Sequence, residues 1–157
     1  MTKTQEARIV QINVSSGGVP KQSTPSAIVT ELGIITDNQN DDKYHGGPDR
    51  ALIIYSLELI QLLQEEGHPI FPGSTGENVT ISGLDWDGLV PGVTLQLGQV
   101  LAQATRYATP CSKISASFVD GNFNRIGHKQ NPGWSRLCLR ILEPGMINAG
   151  DEVVQVT

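Results

Sequence analysis

Cys111 follows Pro110 directly, with Lys113 two positions on and Arg106 just upstream. Cationic neighbours favour a thiolate, the form that ligates soft metals and carries sulfur. Cys111 is therefore the first candidate for chemistry, as a metal ligand or a persulfide carrier. The plain alternative is a small buried hydrophobe; Cys138, between Leu137 and Leu139 in a strand-like run, takes that reading.

The segment His45-Gly46-Gly47-Pro48-Asp49-Arg50 combines an imidazole, two glycines that let backbone approach a ligand, a rigid turn and a guanidinium. Arg50 suits two-pronged binding of an oxyanion, and His45 suits proton exchange near neutrality. Gly73-Ser74-Thr75-Gly76-Glu77-Asn78 sets two glycines around a polar loop. Its amides can cradle an anion, or Gly76, Glu77 and Asn78 simply close a strand connection. In Arg136-Leu137-Cys138-Leu139-Arg140-Ile141 the arginines share one face and the aliphatic residues the other. With the leucines in a core, the arginines form a solvated edge, except that Arg136 can reach an anion if it stands near a site. The three histidines and two cysteines show none of the tight pairings of zinc sites. Cys111 with His45 also makes a conceivable thiol-hydrolase pair, in which imidazole activates sulfur for acyl transfer.

The elements that must position these residues are mostly short strands. Val10, Ile12 and Val14 alternate with Gln11 and Asn13 over Arg8 to Val14, the period-two pattern of a half-buried strand. Further strands are expected at Ser26 to Glu31, in the apolar run Ala51 to Tyr55, at Asn78 to Ile81, Thr94 to Leu97, Gln99 to Tyr107, Arg136 to Leu142 and Val153 to Val156. One helix is expected after Ser56 as N-cap, with Leu59, Ile60 and Leu63 on one face and Gly67 and Pro69 ending it. The stretch from Thr36 to Lys43, rich in Asp and Asn, reads as a loop. With 17 Gly and 9 Pro among 157 residues, the composition also favours strands and turns over helices. The fold class expected is mainly β: an irregular closed β-barrel with one or two short helices, forming a single domain over residues 1–157.

A net charge of −5 disfavours nucleic acid and anionic membrane as partners, since both demand a basic footprint. The first ten residues contain no apolar stretch of signal-peptide length, and no window approaches the roughly 18 apolar residues of a span. A cytoplasmic location with both cysteines reduced is expected.

Read in order, Asn13-Val14-Ser15-Ser16-Gly17-Gly18-Val19-Pro20-Lys21, then His45 to Leu52, then Pro72-Gly73-Ser74-Thr75-Gly76-Glu77-Asn78-Val79-Thr80, then Thr109-Pro110-Cys111-Ser112-Lys113 resemble the landmarks of the MOSC family, the domain found at the C-terminus of molybdenum-cofactor sulfurases. Gly133-Trp134-Ser135-Arg136, Glu143-Pro144-Gly145 and Gly150-Asp151 extend the resemblance to nearly the whole chain. It implies a MOSC-type β-barrel whose pocket holds the molybdenum cofactor (molybdopterin), with a cysteine that ligates molybdenum or carries a persulfide. Relatives of that kind reduce N-hydroxylated bases or take part in cofactor sulfuration. Carried onto this chain, the resemblance makes Cys111 the metal ligand and catalytic residue with His45. Arg50, Gly76, Glu77, Asn78, Arg106, Lys113 and Arg136 become cofactor contacts. No pyridoxal-phosphate site is expected, and no ferredoxin-like cysteine cluster is present. A separate electron or sulfur donor protein and a small-molecule substrate are therefore implied. The alternatives are a non-catalytic pterin- or anion-binding module and a Cys–His hydrolase.

Overall fold

A computed structural model describes residues 6–15, 21–35 and 48–156. His45 lies outside the described residues, as does the whole Asp/Asn-rich stretch from Thr36 to Lys43 with Asp37 in it. The strands are β1 (Ala7–Val14), β2 (Gln22–Thr24), β3 (Ser26–Thr30), β4 (Gly33–Ile34), β5 (Leu52–Ser56), β6 (Val79–Ser82), β7 (Thr94–Leu97), β8 (Val100–Tyr107), β9 (Leu137–Glu143), β10 (Gly145–Asn148) and β11 (Glu152–Gln155), with one α-helix, α1 (Leu57–Glu65). The order β11-β7-β8-β9-β5-β6-β1 closes on itself through Ala7 opposite Val153, giving a seven-stranded barrel with β2 appended to β1. The barrel class and the helix are as the sequence predicts.

Among the described residues only β5 and β6 pair in parallel. A parallel pair needs a crossover, and α1 with the loop after it supplies one. Ser56 caps α1 by accepting from the Leu59 amide at 3.1 Å, while Ile60 and Leu63 face the core. The run Leu52–Ser56 is short and apolar because it is covered on both sides: all its residues but Ile53 are buried.

Two readings need correction. The alternation assigned to β1 holds at Ile12 only in part: Ile9 is buried, Val10 is exposed and Asn13 is fully buried. A bulge between Ile9 and Gln11 against β6 shifts which residues face inward, and a bulge leaves no mark in hydrophobic periodicity. The sequence pattern predicts no strand at β2, β4 or β10. β10 joins β3 and β4 in a separate three-stranded sheet, burying Ala27, Val29 and Ile147.

At the C-terminus of α1, Glu66 accepts from Arg125 Nε at 3.0 Å and Nη2 at 2.7 Å, and the Arg125 guanidinium lies 4.0 Å from the Trp134 ring centre. Arg125 hydrogen bonding holds the Glu66 carboxyl below the usual range. A depressed carboxyl stabilises the fold above its unfolded value and loses that contribution as the pH falls through the folded one. Because the pair is exposed, Glu66→Gln should cost no more than about 1 kcal/mol at neutral pH. The cost should vanish in acid, as read by urea denaturation at the two pH values.

Candidate functional site

The strand registers put one row of residues at a single end of the barrel: Tyr107 opposite Leu137, Leu137 opposite Ile54, Ile54 beside Val79, and Val79 opposite Ile12. Among the described residues, 13–15 and 21, 72–80, 109–113 and 133–136 adjoin this row in the chain, whereas Glu143 pairs with Leu101 at the other end of β9. The Lys21 amide donates to Gly73 O at 2.9 Å, and a Cβ on Gly73 (φ +89°) would stand 2.7 Å from Lys21 O, so the first and third landmarks meet backbone to backbone. Only glycine tolerates both that conformation and that approach.

Cys111 has extended backbone (φ −140°, ψ 173°) and opens the 3₁₀ turn Ser112–Ser117, its carbonyl accepting from the Ile114 amide at 3.1 Å. Ile114 and Phe118 sink this segment into the core. Ser117 Oγ donates to Ser74 Oγ at 2.9 Å, tying it to the glycine-bearing loop. The thiol residue itself stays partly exposed and is not in a disulfide. Lys113 points to the exterior as an exposed residue.

Arg136 sits immediately before β9 and is only 5% exposed, so the solvated edge allowed by the strand pattern forms at exposed Arg140 alone. Its Nη1 donates to Thr75 O at 2.5 Å, which anchors the same loop from the other side. Its Nε is buried and has no partner. Burial opposes the guanidinium charge, and Glu77, Tyr55, Cys138 and Cys111 favour it, in that order. Arg136 is thus within electrostatic reach of both thiols.

Glu77 and Asn78 spend their polar atoms inside the protein. Thr75 Oγ1 donates to Glu77 Oε1 at 2.8 Å, Thr80 Oγ1 to Oε2 at 3.4 Å, and Asn13 Nδ2 to Glu77 O at 3.1 Å. Burial pushes the Glu77 carboxyl up, against hydrogen bonds from Gly73, Thr75 and its own backbone and the charge of Arg136. Asn78 Oδ1 accepts from the Ile53 amide at 2.8 Å, while the Asn78 amide donates to Ile53 O at 2.7 Å, stitching β5 to the start of β6. Gly76 holds positive φ and closes the turn onto Gly73 O at 3.2 Å. These three shape the loop, and Glu77 acts on the barrel end through Arg136.

The pattern missed most completely is around Cys138. It is 2% exposed, paired across β9 with Ile53 and Arg106, on the face away from the barrel interior. Burial raises its thiol, and Arg136, Arg50 and Arg106 act in the opposite sense, Arg106 also through a hydrogen bond. Arg50 belongs to the 3₁₀ turn Pro48–Arg50, docked where Thr105 Oγ1 donates to Asp49 O at 2.6 Å; its Nε is also buried without a partner. Three guanidinium groups from three distant segments therefore gather at one thiol in an acidic chain. The sequence displays each arginine but not the bulge between Ala104 and Arg106 that sets Arg106 opposite Cys138.

Among the described residues no three His, Cys, Asp or Glu side chains gather as a metal cage. The partnerless Nε of Arg136 and the partly exposed Cys111 are donor types that an anionic, thiol-ligated group would use, so these residues fit a molybdenum–pterin cofactor. Among the described residues no helix is long and apolar enough to cross a membrane.

The chain is 28% identical over 135 residues to the uncharacterized protein YflK of Bacillus subtilis, covering 85% of this chain and 60% of YflK. It is 29% identical over 126 residues to the protein YiiM of Escherichia coli, covering 78% of this chain and 55% of YiiM. It therefore spans little more than half the length of these relatives. The crystal structure of YiiM from Geobacillus stearothermophilus superposes with a TM-score of 0.72 at 26% identity, over 96% of this chain and 75% of that one. Residues 41–154, most of the barrel and both cysteines, match the MOSC domain, and the chain belongs to that family.

Proposed function

We propose that the barrel end holds a molybdenum–pterin cofactor, with Cys111 as the protein's ligand to molybdenum or as the carrier of a persulfide sulfur. The observation that carries this reading is a partly exposed Cys111 within electrostatic reach of a buried Arg136 whose Nε is unpartnered, with a second unpartnered Nε on Arg50. Orphaned buried donors are rare in folded proteins and point to a missing acceptor. Arg50 and Arg136 would hold the anionic part of the cofactor, Arg106 would add charge from the exposed side, and Lys113 would contribute as a solvated cation. Gly76, Glu77 and Asn78 would keep the loop shaped around it. When bound, such a cofactor supplies two-electron chemistry at molybdenum. The reaction class proposed is reduction of an N-hydroxylated small molecule to its amine, which consumes two electrons and two protons and releases water. The electrons come from a separate donor protein, and His45, outside the described residues, is the candidate for moving a proton.

The test is pterin retention, which needs no activity. Arg50→Gln protein purified from cells that make the cofactor should retain about tenfold less pterin than wild type, the scale of a lost charge-assisted hydrogen bond. Exposed Arg106→Gln should lose less. Equal retention by wild type and Arg50→Gln contradicts the reading.

A further inference from the structure

A cavity of about 270 Å³ lies where Tyr107, the last residue of β8, meets the segments that carry Trp86 and His128. It shares chain with the thiol site but is built from other side chains: Trp86, Leu89, Tyr107, His128 and Pro132 form its walls, with Asp87 among its lining residues. That volume holds a one-ring or small two-ring molecule, just below the about 300–1,000 Å³ of drug-sized sites.

Its walls are fixed in place. The Trp86 indole Nε1 donates to Ser135 O at 3.0 Å and its ring meets Tyr55 edge-on at 6.0 Å. The His128 imidazole lies flat on the Tyr107 ring, 3.7 Å between centres and 6° between planes. Two polar features of the lining are unspent. His128 Nδ1 is buried and has no partner. Asp87 is exposed and forms no ion pair with any described residue. Aromatic faces with one carboxylate attract a flat cation and repel an anion.

We propose that this cavity is a binding site for a small planar aromatic cation of the arylamidinium class. Its ring packs against the Trp86 and Tyr107 walls, its charged end pairs with Asp87, and an N–H group or ring nitrogen completes His128. The inference does not depend on the cofactor reading, because it concerns binding to protein with no metal added.

The probe is benzamidine, with benzoate as the anion of the same shape, each titrated into ¹⁵N-labelled protein. Benzamidine should give saturable shifts at the Trp86 indole and at the Tyr107 and His128 amides, and benzoate none. Asp87→Asn should weaken benzamidine about tenfold, as loss of a charge-assisted contact does. His128→Phe, which keeps a ring on Tyr107 and removes the nitrogen, should weaken it by a smaller factor. An absence of saturable benzamidine shifts, binding of benzoate as tight as benzamidine, or unchanged affinity in both variants overturns the proposal. None of these results bears on pterin retention, so the two readings fail separately.

Discussion

Arg136→Met should cost about 1–3 kcal/mol of folding stability, the penalty for leaving a buried acceptor, Thr75 O, without its donor. Arg136 and Glu77 are 5% and 0% exposed. With the guanidinium gone, Thr75 O loses its donor, and Glu77 keeps only hydroxyl and amide donors in a site whose burial already pushes its carboxyl up. A domain of ordinary stability has about 5–15 kcal/mol to lose, so the effect is large. The sign of its pH dependence follows from Glu77. A carboxyl whose folded pKa lies above its unfolded value favours the folded state below that unfolded value and loses the benefit as the pH rises through the folded one. Removing Arg136 pushes Glu77 up further, so the cost should be largest at neutral pH and above, and should shrink in acid as Glu77 takes a proton. Urea denaturation at pH 7.5 and in acid reads both. The pair Glu77→Gln/Arg136→Met should be more stable than Arg136→Met alone, because no buried charge is left behind. A cost below about 1 kcal/mol at neutral pH, short of the range for an orphaned buried acceptor, or one independent of pH, contradicts this account of the barrel end.

The two cysteines should differ in alkylation rate by about a thousandfold or more. Cys111 is partly exposed at the start of a 3₁₀ turn, whereas Cys138 is 2% exposed beneath the Pro48–Arg50 turn. Reagent reaches Cys138 only when this part of the fold opens. If opening costs at least about 5 kcal/mol, as for a core strand, the open fraction is of order 10⁻³ or less. Burial also raises the Cys138 thiol, which lowers its thiolate content further. Iodoacetamide at neutral pH, followed by peptide mapping, should label Cys111 and leave Cys138 unmodified until denaturant is added. Labelling of Cys138 on the same time scale would show that the cover over β9 opens readily.

Much of this architecture is legible in the sequence because its strands are local patterns. The apolar run Ala51 to Tyr55 reads as a strand, and β5 occupies Leu52–Ser56, while Ser56 caps the helix that its position announces. The site is less legible, because its decisive contacts join residues far apart in the chain. Arg136 is 61 residues from Thr75, whose carbonyl it anchors. No periodicity reveals that it is buried, since the alternation of β9 predicts only which residues share its face. The same alternation does set Cys138 apart from Leu137 and Leu139, but what covers that face is the Pro48–Arg50 turn, a tertiary fact. Tyr107 and His128, stacked into one wall of the cavity, carry no motif at all.

The central claim is that Cys111 anchors a metal-bearing cofactor, and the most direct measurement is the molybdenum-to-protein ratio of wild type and Cys111→Ala, both purified from cells that make the cofactor. The account predicts that wild type carries molybdenum with pterin, and that the alanine variant, folded by circular dichroism, loses the metal. Equal molybdenum in the two proteins, or none in either, contradicts it.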